Sequence, residues 1–166
     1  MQFKAGDYVV HPAYGVGNIV RLEERRLAED TTRLYYVLTA DKSTIWVPVD
    51  AAGNTGLRRL TSKRDLEKYR ALLRGRPTSL SKDHRDRRLE IVERLKDGSF
   101  QAMCEVVRDL AAFGWRKALS EADATLFNKT RASLCREWAA AGSMSVDEAI
   151  AEVNALLSTA RQTYQP

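Results

Sequence analysis

The run Phe3-Lys4-Ala5-Gly6-Asp7-Tyr8-Val9-Val10-His11-Pro12-Ala13-Tyr14-Gly15-Val16-Gly17-Asn18-Ile19-Val20 constrains the fold more than any other part of the chain. Its glycines and proline leave room only for short strands and tight turns. Gly6-Asp7 reads as a turn opening a β-branched run, and Pro12 ends that run by removing a backbone donor. Gly15 and Gly17 then let the chain reverse before Asn18-Ile19-Val20. The pattern predicts a hairpin whose second strand reaches Glu23, and with it a small antiparallel β-barrel. A second hairpin is predicted from Leu34–Thr39 and Thr44–Val49 across Ala40-Asp41-Lys42-Ser43. Pro48 places its last strand at a sheet edge, which can accept a partner strand. Asp50–Arg59, with Gly53, Asn54 and Gly56, reads as a connection.

From Ser62 the apolar period lengthens to that of a helix. Leu66, Tyr69 and Leu72 or Leu73 form a first stripe, stopped at Arg74-Gly75-Arg76-Pro77. A second helix is expected from a Ser81 cap to Asp97-Gly98, and a third over Phe100–Phe113. The fourth starts at Ser120-Glu121-Ala122-Asp123 and stops near Gly142. Ser145-Val146-Asp147-Glu148 is a capping box for a fifth, through Leu157. The expected fold class is therefore α+β in two domains: an antiparallel barrel over 1–60 and an all-α helical bundle over 61–166.

Function classes fall away next. His11 and His84 lie in different expected domains, and no Ser/His/Asp set, HExxH, P-loop or dinucleotide-binding turn is present. Gly15-x-Gly17 sits inside a hairpin with no following helix and reads as a strand turn. Cys104 and Cys135 lack a CxxC pair or neighbouring histidines and read as small core residues. The chain is expected to be no enzyme, with no cofactor and no metal. No apolar run approaches the roughly 18 residues of a membrane span, and the N-terminus lacks the layout of a signal peptide. A cytoplasmic location is expected.

The net charge of +5 is concentrated: residues 61–98 hold 12 Lys/Arg against 7 Asp/Glu. Such a segment either meets phosphates or forms a solvated helix face. Within its most basic part, residues 74–96, Lys82, Arg85 and Arg88 recur every three residues and Arg87 flanks them. They are predicted to share one face near a helix N-terminus, able to grip a DNA backbone. Pairing with Asp83, Asp86 and Glu90 is the other reading of this segment.

The opening Phe3-Lys4-x-Gly6-Asp7-x-Val9-Val10-x-Pro12-x-x-Gly15, the Val47-Pro48 strand end, Gly56-Leu57-Arg58, Leu95-x-Asp97-Gly98 and Glu105-Val106-Val107-Arg108-Asp109-Leu110 resemble the CarD/CdnL family of bacterial transcription regulators. The resemblance runs over nearly the whole chain. It implies a Tudor-like N-terminal domain, similar to that of transcription-repair coupling factor, that binds the β subunit of RNA polymerase. It implies a C-terminal helical domain that touches promoter DNA at the upstream edge of the bubble. The protein would then stabilise the open complex formed with the principal sigma factor, as a monomer associated with the nucleoid through polymerase. Its own hold on DNA would be weak and largely nonspecific. The alternative is a polymerase- or repair-factor-associated module without DNA contact.

By the same resemblance, Arg25 falls where the family has a polymerase-contacting arginine, and Trp46, Val47 and Pro48 fall on the edge strand that faces the polymerase. Trp46 departs from the family's methionine or arginine. It reads either as the apolar anchor of a strand-edge contact or as a barrel-core residue. His84 stands where the family has a tryptophan that wedges into the minor groove, and an imidazole covers less area while keeping polar edges. Trp115, followed by Arg116-Lys117, reads either as a further DNA-stacking residue or as the closure of a helix end.

Overall fold

The structure is a computed structural model that describes residues 2–166. The chain divides into two units, one ending at Leu60 and the other beginning at Thr61.

The first unit is a five-stranded antiparallel sheet: β1 (Tyr8–His11), β2 (Gly15–Ala28), β3 (Thr31–Ala40), β4 (Ser43–Pro48) and β5 (Arg58–Arg59). The strand order is β4-β3-β2-β1-β5. Gly15 opens β2 at φ +77°, a left-handed conformation that L side chains rarely adopt, so the reversal after Pro12 needs glycine there. The expected barrel does not close: β4 and β5 are the two edges and share no ladder. The connection expected over Asp50–Arg59 contributes β5, whose Arg58 and Arg59 pair with Val10 and Val9. β2 and β3 also run further than their apolar patterns indicated. Beyond Tyr35↔Pro48 they continue as a two-stranded ribbon, pairing Glu24↔Leu34, Arg25↔Arg33 and Arg26↔Thr32. The ladder needs only backbone groups, so charged residues extend it where no core face marks it in the sequence. The inner face packs Val9, Ile19, Tyr36, Leu38 and Val47 against Phe3, Ala52 and Leu57.

The second unit holds five helices: α1 (Leu66–Leu73), α2 (His84–Leu95), α3 (Phe100–Phe113), α4 (Glu121–Gly142) and α5 (Val146–Tyr164). Three are capped by serines whose hydroxyls accept a backbone N–H three residues on: Ser99 from Ala102, Ser120 from Asp123 and Ser145 from Glu148. The main core joins Leu66, Tyr69 and Leu73 to Phe100, Cys104, Val107, Leu134, Trp138 and Val153. A smaller cluster of Leu80, Ile91, Val106 and Leu110 seats α2 against α3. Trp138 and Cys104 are fully buried and Cys135 nearly so. None of the described helices is long and apolar enough to cross a membrane.

Candidate functional site

Alternate residues of β2, β3 and β4 point to opposite faces of the sheet. Leu22, Tyr36 and Val47 make one inward row across the strands, and Ile19, Leu38 and Ile45 the next. The intervening rows lie on the opposite face: Arg21, Val37 and Trp46, of which Val37 is fully buried, then Glu23, Tyr35 and Pro48. The Arg25 guanidinium carbon lies 4.6 Å from the Trp46 ring centroid, within cation–π range. Arg25 Nε stands 3.3 Å from Glu23 Oε1. Arg21 donates to Glu23 Oε2 from Nε at 3.1 Å and from Nη2 at 2.8 Å. Those Arg21 bonds hold the Glu23 carboxyl below its usual range, with smaller help from Trp46 and Arg25. The result is an ordered outward cluster in which Trp46 keeps 36% of its surface exposed.

The structure thus brings Arg25, Trp46 and Pro48 onto one face next to the open edge of β4, and Trp46 is not a core residue. Val47 is a correction. It is 3% exposed and points into the inner core, so its side chain cannot meet a partner and only its backbone remains on the edge strand. Arg21 and Glu23, which orient the stack, were not singled out by sequence. Counting in twos from Arg25 along β2 would have placed them on its face.

In the helical unit, α2 is capped by Asp83 rather than Ser81. Its Oδ1 accepts the Asp86 N–H at 2.9 Å, and that hydrogen bond holds the Asp83 carboxyl below its ordinary range. The helix therefore begins two residues later than expected, which leaves Lys82 in the preceding loop rather than on the helix. His84, Arg85 and Arg88 are exposed on the first two turns, beside Leu89 at 70% exposure. Lys82, Arg85 and Arg88 have no ion-pair partner among the described residues.

Arg87 is a second correction, because it is 4% exposed and faces inward. Its Nε and Nη2 donate to Asp123 Oδ2 at 3.0 and 2.8 Å, and Nη1 donates to the carbonyls of Ser81 and Lys82 at 3.0 and 3.2 Å. The guanidinium lies 4.3 Å from the centre of the Phe113 ring. Every face of the group is occupied, so no phosphate can reach it. Arg87 instead fixes the loop that carries Lys82.

Trp115 is partly buried in the turn after α3, and its carbonyl accepts from Gln165 Nε2 at 3.1 Å. It shares a cleft with Lys82. His11 serves its own turn: Nδ1 accepts the N–H groups of Ala13 and Tyr14 at 3.0 and 3.3 Å, and burial lowers its pKa. Among the described residues no group of three or more His, Cys, Asp or Glu could hold a metal ion.

Comparison with known proteins assigns both units. Residues 3–61 match the CarD-like/TRCF RID domain, and residues 68–154 match the CarD C-terminal domain. A Bacillus subtilis (strain 168) protein named "Putative transcription factor YdeB" is 24% identical over 136 residues, covering 81% of this chain and 89% of its own.

Proposed function

The chain belongs to the CarD family, and we propose that it is a non-catalytic transcription regulator that docks on the β subunit of RNA polymerase through its sheet. From there its helical unit contacts promoter DNA at the upstream edge of the bubble and stabilises the open complex. The observation that carries the docking half is the Arg25–Trp46 stack beside an unpaired edge strand, in a domain of the type shared with the coupling factor's RID. A partner strand can add to β4 through backbone hydrogen bonds while Trp46 supplies the apolar anchor that such contacts need. The protein works as a monomer in the cytoplasm and joins the nucleoid through polymerase.

The DNA half rests on Lys82, Arg85 and Arg88, which are exposed next to a helix N-terminus and have no ion-pair partner among the described residues. So few cations hold DNA only at the nonspecific level, about 10⁻⁴ to 10⁻⁶ M. Tethering to polymerase raises the local concentration enough to make that contact useful. Asp83 and Asp86 in the same stretch, and the loss of Arg87 to the interior, favour a second reading: a docking module that never touches DNA. Pull-down of polymerase by wild type, Arg25→Glu and Trp46→Ala tests docking. Cross-linking of the polymerase-bound protein to promoter DNA, with and without Arg85→Glu/Arg88→Glu, separates the two readings. Retained docking with no cross-link to promoter DNA in wild type favours the second.

A further inference from the structure

The helical unit contains a cleft that shares only Lys82 with the proposed DNA contact. It has a volume of about 590 Å³, and its walls come from the segment between α1 and α2, the end of α3 with the turn after it, and the end of α5. That volume lies within the usual range for small-molecule sites, about 300–1,000 Å³. Four cations line it: Arg76 and Lys82 from the first segment, Arg116 and Lys117 from the second.

The acidic side chain in this lining, Asp109, offers no compensating charge. Its Oδ1 accepts from Thr78 N–H at 2.9 Å and from Arg108 Nε at 2.8 Å, and its Oδ2 accepts from Arg94 Nη1 at 2.8 Å. Both oxygens face inward and are neutralised by two arginines. Lys82, Arg116 and Lys117 are exposed and make no ion pair among the described residues. Positive charge so gathered, with no other acidic side chain in the lining to balance it, calls for an anion.

Aromatic surface meets the same cleft. Trp115 and Tyr164 both line it, and the Arg76 guanidinium carbon lies 5.0 Å from the Tyr164 ring centroid. Trp115 is held by the Gln165 bond to its carbonyl and keeps part of its surface open. Purely electrostatic phosphate binding gains nothing from a partly exposed indole, whereas a nucleobase stacks on one at about 1–3 kcal/mol per base by alanine substitution. A strand presents one phosphate per nucleotide. Four cations converging on one cleft suit several phosphates on a single ligand.

We propose that this cleft binds a free nucleoside polyphosphate, the base against Trp115 and the phosphates among Arg76, Lys82, Arg116 and Lys117. No glycine-rich phosphate loop or metal cluster is present among the described residues to support hydrolysis. The ligand is bound, not consumed.

The test is calorimetric titration of the full chain in magnesium-free buffer with ATP, GTP, their di- and monophosphates, inorganic triphosphate and a short oligothymidylate. Binding should strengthen from mono- to triphosphate, with inorganic triphosphate and the oligonucleotide weaker than the nucleoside triphosphates. Trp115→Ala should weaken triphosphate binding about tenfold, and Arg116→Glu/Lys117→Glu should abolish it. Both cations of the second variant are exposed, so its fold is not at risk, and circular dichroism checks each variant. Arg85→Glu/Arg88→Glu on α2 should leave nucleotide binding unchanged. The proposal is overturned by absence of binding, by inorganic triphosphate binding as tightly as the nucleotides, by preference for the oligonucleotide, or by binding that survives Arg116→Glu/Lys117→Glu.

Discussion

Arg87 on α2 and Asp123 in the first turn of α4 form a buried ion pair, with two guanidinium N–H groups on one carboxylate oxygen at 3.0 and 2.8 Å. The pair separates two kinds of arginine that look alike in the run Arg85-Asp86-Arg87-Arg88. One kind builds the helical unit, and the other is free to meet a partner.

Removing one member of such a pair leaves a buried charge without compensation. Arg87→Gln and Asp123→Asn should each destabilise the protein by about 3–5 kcal/mol. Arg87→Met/Asp123→Leu should recover most of the loss. Exposed Arg85→Ala and Arg88→Ala should stay within about 0.5 kcal/mol of wild type. Urea denaturation followed by helical circular dichroism decides; equal effects at Arg85 and Arg87 would contradict the assignment.

If Arg85 and Arg88 touch phosphates, each should contribute to salt dependence. The logarithm of DNA affinity against the logarithm of salt concentration should flatten by about 1 for each arginine replaced by alanine. Fluorescence anisotropy of a labelled promoter fragment at several salt concentrations gives the slope. An unchanged slope in both variants supports the docking-module reading.

His84 is exposed at the first residue of α2, where a side chain can reach a groove edge. Enlarging it to an apolar plate should add to whatever wedging the imidazole achieves. His84→Trp is expected to lengthen open-complex lifetime, measured by competitor challenge. No change in either His84→Trp or His84→Ala would remove this side chain from the fork.

Burial raises the thiol pKa of Cys104 well above the usual range, with a smaller push from Glu137, and burial also raises that of Cys135. Thiolate is the reactive form, so both should be inert in the native state. Iodoacetamide at mildly alkaline pH should label neither until denaturant is added. Rapid native labelling would contradict the buried placement.

Local signals in the sequence were reliable where local physics decides. Ser120 and Ser145 mark helix starts because their hydroxyls satisfy N–H groups three residues away. Pro48 marked an edge because it has no donor to offer a further strand. Long-range pairing was not legible. Arg87 read as a DNA contact because Asp123, 36 residues on, announces itself only as a helix-start acid. Val47 joined Trp46 and Pro48 through sequence adjacency, although a period of two puts it on the opposite face. Closure of the barrel depends on whether edge strands meet, and the two-residue β5 reaches β1 but not β4. Asp83 displaced Ser81 as the cap and so moved Lys82 off the helix, since either side chain can cap and only the surrounding packing chooses.

The central claim is that an anchored sheet lets a weak DNA contact hold the promoter open. Promoter opening by the cognate RNA polymerase holoenzyme, followed with a fluorescent base in the bubble, tests it directly when wild type is compared with Trp46→Ala. The account predicts a higher open fraction with wild type that the variant fails to produce. An open fraction equally raised by Trp46→Ala, or unaffected by wild type that still binds polymerase, would contradict it.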